Sequence, residues 1–192
     1  LGEGTPPALR TDTEAGQACL HDLELACCFA RANRDTLAAR ALAVIADRLG
    51  VAPEGDSTVD VHHNHVATES HFGRTLQVHR KGAVGLEVGA RGLIPGSMGT
   101  ASYVVEGRGA PDAFRSCSHG AGRVLTRTEA RARIRPDALV HALRRVVFDP
   151  ARAPSLVEEA PAAYRDLSEV LEDEADLVTP RVRLTPLAVL KG

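Results

Sequence analysis

The chain has 192 residues, 44% of them hydrophobic, with a formal net charge of −2. That is enough apolar material for one domain with a real core, built on Leu, Val and Ala because aromatics make up only 3% and tryptophan is absent. The charge balance excludes a globally basic nucleic-acid binder, so any electrostatic footprint has to be a local patch.

No apolar run reaches transmembrane length, and no signal peptide is visible. The four cysteines, Cys19, Cys27, Cys28 and Cys117, form no CxxC pair, so reduced thiols in a cytoplasmic compartment are expected. Cys117, two residues before His119, is expected to be a redox liability.

Leu1 to Thr11 is rich in Gly and Pro and reads as a loop. Thr13 to about Arg48 reads as a helix, capped by Thr13 or Asp12, stopped by Gly50 and with a bend expected near Asn33. Its apolar stripe contains Leu20, Leu23, Cys27, Ala30, Leu37, Ala41 and Val44. Pro53 to Ser57 reads as a linker.

Thr58 to Val66 is rich in β-formers and reads as a strand. Asp60, His62 and Asn64 then share one face, and Val61, His63 and His65 the other. Three histidines in so short a run suit a transition metal, with manganese possible where carboxylates or water complete the shell. Spacing alone does not choose between His62 and His63.

Leu76 to His79, Val84 to Val88, Leu93 to Ile94 and Ser102 to Glu106 read as further strands. His79-Arg80-Lys81-Gly82 is either an anion site or a solvated turn. Ile94 to Tyr103 is a tight loop whose N–H groups and hydroxyls suit a phosphate or a base. In Ser116 to Arg123, His119 supplies a nitrogen nucleophile beside Gly120 and Gly122, which admit close backbone approach. A helix starting near Ala121 puts Arg123 and Arg127 on one face, forming a fork for phosphate oxygens. The alternative is a Gly-rich turn with solvated side chains.

Thr126 to Ile134, Pro136 to Val146 and Leu167 to Asp173 read as helices. The acidic run Glu169 to Asp176 reads as a solvated helix face. Val178 to Leu190, with Pro180 and Pro186, reads as an edge or broken strand. The fold class is α+β, with a helical segment over about residues 12–50 and a strand-rich part over about 58–192.

His63-Asn64, His79 to Ala83, Ile94 to Tyr103, Ser116 to Arg127 and the terminal Val189-Leu190-Lys191-Gly192 occur in this order. Together they resemble the C-terminal part of the RtcB family of RNA ligases, the tRNA-splicing ligases. The resemblance implies an RtcB-like mixed or antiparallel sheet with flanking helices. It also implies the joining of RNA 3′-phosphate or 2′,3′-cyclic phosphate ends to 5′-hydroxyl ends. A histidine attacks GTP, GMP passes to the RNA 3′-phosphate, and the 5′-hydroxyl displaces it, with two manganese ions in the complete site.

The implied roles follow by position. His119 is the guanylylated histidine, and His63 is a metal ligand. Asn64, Pro95, Gly96, Ser97, Met98 and Ser102 surround the guanylate, with Gly120, Ala121 and Gly122 on its phosphate side. Lys191 reaches the guanine and Tyr164 lies close to the base. Lys81, Arg123 and Arg127 are basic positions needed for activity. His65 is a non-ligand, His62 is structural or lies behind the ligands, and Thr126 stands where a serine is common.

Arg135 to Pro154 matches no family motif. The family's upstream metal ligands have no counterpart here, and with Leu1 in place of an initiator methionine the chain is expected to be a fragment that pairs with an N-terminal half. Partners so implied are GTP, RNA ends such as tRNA halves and a protein activator. Two alternatives remain: a non-catalytic nucleotide- or RNA-binding remnant, and a relative that guanylylates DNA 3′-phosphates.

Overall fold

The computed structural model describes residues 8–52 and 58–191. The start of the Leu1–Thr11 loop, the Pro53–Ser57 linker and Gly192 lie outside the described residues. The chain divides into two compact units. One comprises Leu1–Thr58, His65–Ser70 and Arg74–His79, and the other Val59–Asn64, His71–Gly73 and Arg80–Gly192.

In the first unit α1 spans Glu14–Leu49. Thr13 is its N-cap, accepting from the Gly16 N–H, and Gly50 closes it in the left-handed conformation at φ 66°. Asp12, the other cap expected, is paired with Arg10. The helix runs unbroken through Asn33. Leu20, Cys27 and Ala30 of the expected stripe are half-buried, but Leu23, Leu37, Ala41 and Val44 are exposed. A 3.6-residue period marks a face fit for burial, and burial itself needs a covering element.

The same unit holds the body of a hairpin formed by β1 (Asn64–His71) and β2 (Arg74–Lys81). The strand expected from Thr58 therefore begins six residues late, and Asp60, His62 and Asn64 do not share a strand face. The reason is pairing. The Gly82 N–H donates to the His63 carbonyl at 2.8 Å, and Gly82 at φ 69° then turns the partner chain away. Upstream of Asn64 the described residues carry no strand assignment.

In the second unit β3 (Ala83–Gly85) pairs antiparallel with β6 (Ser116–Ser118). A three-stranded antiparallel sheet has the order β4 (Arg91–Ile94), β5 (Ser102–Gly107), β7 (Val178–Leu184). Pro180 lies on its edge strand opposite Val105, where the register slips between Val104 and Val105. The strand expected to reach Leu190 ends at Leu184, and Ala188 makes only an isolated bridge to Val147.

Four helices complete the unit: α2 (Arg127–Arg133), α3 (Pro136–Ala142), α4 (Ala153–Leu156) and α5 (Leu167–Asp173). One core cluster joins Val84, Ile94, Val105, Cys117 and Val178 with Leu167 and Leu171 of α5. A second joins Leu139, Leu143, Leu156 and Val157 with Met98. Leu139 and Leu143 are fully buried, so the stretch from Arg135 to Pro154 is a packing element.

Candidate active site

His119 stands immediately after β6, whose register sets Ser118 opposite Ala83 and Cys117 opposite Val84. Glu174 accepts from the Ser118 N–H at 3.0 and 3.1 Å and from its hydroxyl at 3.0 Å, which pins the strand end. Glu174 is thus no solvated face residue, as the acidic run suggested; it crosses from the segment after α5 to hold the residue before the histidine.

The exposed His119 ring places Nδ1 2.7 Å from the Gly82 carbonyl oxygen. A carbonyl only accepts, so Nδ1 carries a proton, and in the neutral ring the lone pair is then on Nε2. Gly82 in turn donates its N–H to the His63 carbonyl at 2.8 Å and the Asn64 side-chain oxygen at 3.1 Å. The His63 and His119 rings stack with centroids 5.3 Å apart and planes 12° off parallel. His63, Asn64, Gly82 and His119 therefore form one constellation, although Asp60 to His63 is not a strand.

Lys81 is exposed beside Gly82. Arg80 is not part of an anion site. It is buried, donating to the Ser116 hydroxyl at 3.0 Å and the Phe114 carbonyl at 2.8 Å.

On one side of His119 opens a cleft of about 640 Å³, within the range of small-molecule sites. One wall is the loop Pro95, Gly96, Ser97, Met98 and Ser102, and another is Gly120, Ala121 and Gly122. The two walls are tied where the Ala121 N–H donates to the Pro95 carbonyl at 3.0 Å. Ser102 accepts from the Gly96 N–H at 3.2 Å, so its hydroxyl shapes the loop. A Cβ on Gly96 would meet the Ala101 carbonyl oxygen at 2.2 Å, so that turn requires glycine. Met98 is mostly turned into the second core cluster.

Arg123, Arg127, Tyr164, Lys191 and Glu159 also line the cleft. No helix starts near Ala121. Thr126 caps α2 and forms a capping box with Glu129, so Arg123 lies before the helix and Arg127 is its first residue. The two guanidiniums are brought to one cleft by the fold, not by a shared helix face.

Arg123 is fully engaged. It donates to the Leu125 carbonyl at 2.9 Å, the Tyr164 hydroxyl at 3.0 Å and the Glu158 carbonyl at 2.5 Å, with its guanidinium 4.9 Å over the Tyr164 ring. It braces the wall. Arg127, with its side chain 65% exposed, pairs with Glu158 at 3.1 Å and Glu159 at 3.5 Å.

Glu159 is the site residue that the sequence reading missed. Its carboxylate accepts from the Tyr164 hydroxyl at 2.5 Å and lies 3.5 Å from Lys191 Nζ. Burial pushes this carboxyl up, but the Tyr164 hydrogen bond and the charges of Lys191, Arg127 and Arg123 together hold it below the ordinary value. Burial, with the Glu159 hydrogen bond and charge, raises the Tyr164 phenol. The only local signal for Glu159 was its place just before Ala160-Pro161-Ala162-Ala163-Tyr164.

Cys117 is buried, and its thiol is pushed up to about 12 by burial and by Glu174. It is therefore an inert thiol, which corrects its expected redox role. Among the described residues no three His, Cys, Asp or Glu side chains come together as a metal-ligand group. His63 offers one imidazole beside His119, and the described residues do not complete a manganese site around it.

An α+β protein with a histidine, its Nδ1 held on a backbone carbonyl, at the mouth of a cation-rimmed cleft of small-molecule size is what the fold and site define. Residues 7–192 match the family model for tRNA-splicing ligase RtcB, and the chain belongs to that family. It is 37% identical to the RNA-splicing ligase RtcB of Escherichia coli K12, over 85% of this chain and 41% of the relative. It is also 37% identical to the RNA-splicing ligase RtcB of Mycobacterium tuberculosis H37Rv, over 92% and 45%. Identity to the tRNA-splicing ligase RtcB of Pyrococcus furiosus is 36%, over 94% and 21%. The chain thus spans less than half the length of these relatives. No helix among the described residues is long and apolar enough to cross a membrane.

Proposed function

We propose that this chain carries the guanylate-binding part of a cytoplasmic GTP-dependent RNA ligase, joining RNA 3′-phosphate or 2′,3′-cyclic phosphate ends to 5′-hydroxyl ends. The observation that carries the reading is the 2.7 Å contact of His119 Nδ1 with the Gly82 carbonyl at the mouth of the cleft. In the neutral imidazole this puts the lone pair on Nε2, the atom a nitrogen nucleophile has to use. Family membership and the names of the relatives agree with it.

In the proposed first step Nε2 of His119 forms a bond to the α-phosphorus of GTP. The bond to the β-phosphate oxygen breaks, and pyrophosphate leaves with that electron pair. The ring becomes cationic, and the Gly82 carbonyl stabilises it through the retained Nδ1 proton. GMP then passes from His119 to an oxygen of the RNA 3′-phosphate, which restores the neutral imidazole. Attack of the 5′-hydroxyl on that activated phosphate, with its proton released to water, expels GMP and seals the strand; a 2′,3′-cyclic phosphate end is first opened by water to the 3′-phosphate. Ser97, Gly96 and the Gly120–Gly122 backbone surround the nucleotide, while Arg127 at the cleft and Lys81 next to Gly82 supply cations for the phosphate charge. Arg123 holds Tyr164 in place, and Lys191 closes the far end towards the base. Manganese, when bound, neutralises phosphate charge; His63 is the one ligand proposed from this chain, with the others from an N-terminal half.

A second reading, a binding remnant without catalysis, is favoured by the lack of a complete ligand group among the described residues. Intact mass after incubation with GTP and manganese separates the two readings, using the chain alone and again with the N-terminal half of a relative. The ligase reading expects a GMP adduct that is labile in acid, stable in alkali and lost in His119→Ala. An adduct surviving in His119→Ala overturns the nucleophile assignment. No adduct in either mixture leaves the binding remnant.

A further inference from the structure

The hairpin between β1 and β2 turns on Phe72 and Gly73, at φ 53° and 70°. Two successive left-handed residues make the type I′ turn, which Asn-Gly fits with the least strain. A phenylalanine at its first position is strained by its Cβ. A second such place lies after the short helical turn Pro111–Ala113, where Phe114 and Arg115 both adopt φ 51°. Bulky residues persist in this region where their surroundings hold them, and such strain gathers at ligand-binding sites.

The two strained turns bring the rings together. Phe72 and Phe114 meet edge to face at 5.5 Å, and buried His71 backs Phe114 at 5.1 Å. The Arg115 guanidinium is beside them, 3.5 Å from His71 Nε2 and paired with Glu87 at 2.9 Å. Yet the pair remains open to solvent, Phe72 at 61% and Phe114 at 38%. The chain has four phenylalanines, two tyrosines and no tryptophan. Two of these six rings are held at the surface in strained backbone while both core clusters are built mainly from aliphatic side chains.

Phe114 is also coupled to the strand that delivers His119. Its carbonyl accepts from Arg80 at 2.8 Å and from the Ser116 hydroxyl at 3.1 Å, at the opposite end of β6 from the histidine. His119 is five positions after Phe114, so their Cα atoms are no more than about 18 Å apart. That is a few nucleotides of single strand.

We propose that Phe72 and Phe114 form a stacking platform for a nucleobase of the single-stranded RNA whose end reacts at His119. The proposal rests on the ligase reading above. Every base has a π-face, so aromatic stacking grips a strand without regard to sequence. An enzyme that joins ends needs such a hold a short way behind the terminus, where the reacting phosphate makes no contact.

The test uses the full chain and a fluorescein-labelled single-stranded oligoribonucleotide ending in a 3′-phosphate. Kd is read by anisotropy at one fixed salt concentration. Phe72→Asn removes the ring and installs the residue that the turn prefers, so the melting temperature holds or rises. The Kd of this variant rises roughly 5- to 150-fold, as loss of one stacked base predicts. Phe72→Trp restores binding, and GMP adduct formation from GTP is the same in all three proteins. Equal RNA affinity in wild type and Phe72→Asn overturns the platform and leaves the ligase reading standing. Failure of the wild-type chain to bind the oligonucleotide overturns both. Ring-dependent RNA binding without any GMP adduct, with the N-terminal half of a relative supplied as well as without it, supports the platform and removes the nucleophile assignment alone.

Discussion

His119 Nδ1 and the Gly82 carbonyl oxygen are 2.7 Å apart, and this contact joins the end of β6 to the turn after β2. One backbone carbonyl thereby chooses the histidine tautomer. Gly82 performs this at φ 69°, with the place where a Cβ would stand only 3.2 Å from His119 Cε1.

Gly82→Ala therefore has two effects. The left-handed backbone costs about 1–2 kcal/mol for a residue with a Cβ, and the new methyl pushes the imidazole out of line. The expected outcome is a small drop in melting temperature with GMP adduct formation slowed roughly 10- to 100-fold. Rapid-quench adduct kinetics check it, and a wild-type rate would refute the positioning role of Gly82.

Glu174 holds the other side of the same strand end through Ser118. Glu174→Ala leaves the Ser118 N–H and hydroxyl without this acceptor, a loss of about 1–3 kcal/mol. Glu174→Gln keeps one acceptor oxygen and is expected to retain most of the stability. Urea unfolding of the three proteins measures this. Identical midpoints for wild type and Glu174→Ala would show that the contact contributes nothing.

Glu159 gives a pH dependence. Its carboxyl is held below the ordinary value of 4.5, because hydrogen bonding and three cations outweigh burial. A depressed acid stabilises the fold above its unfolded value and loses that contribution as pH falls through the folded one. Wild type is therefore expected to melt above Glu159→Gln at neutral pH. The two curves converge as pH drops below 4.5. A constant gap across the acid range would mean that the carboxylate charge is irrelevant.

Cys117, pushed up to about 12, stays a thiol at neutral pH and is buried, whereas Cys19 and Cys28 are exposed. Iodoacetamide at pH 8 should alkylate Cys19 and Cys28 in the folded chain and reach Cys117 only in denaturant. Peptide mass mapping reads the sites. Early modification of Cys117 would contradict the burial argument.

Much of the local structure was legible because its causes are local. Thr13 and Gly50 bound α1 by capping chemistry, Thr126 with Glu129 opens α2, and Pro180 marks an edge strand. The cleft-lining residues Pro95 to Met98, Ser102 and His119 to Gly122 could be named from their motifs, because glycines and hydroxyls cluster there in sequence as well as in space. What failed were readings that borrowed geometry from an assumed element. A shared face for Asp60, His62 and Asn64 needed a strand that begins only at Asn64. The shared face for Arg123 and Arg127 needed a helix that starts only at Arg127.

The sequence alone determined the kinds of residue available: a histidine between polar and glycine neighbours, a hydroxyl-rich loop, and scattered cations. It also determined where α1 begins and ends, since a cap and its N–H lie within one turn. Only the tertiary structure decided which groups act on one another. Gly82 reaches His119, Glu174 reaches Ser118, and Glu159 gathers Tyr164, Arg127 and Lys191. Most of these partners are tens of residues apart, and even Tyr164 and Glu159 meet across a turn. Hydrogen bonds and ion pairs depend on distances of about 3 Å, and those distances exist only once strand pairing and core packing have fixed the backbone.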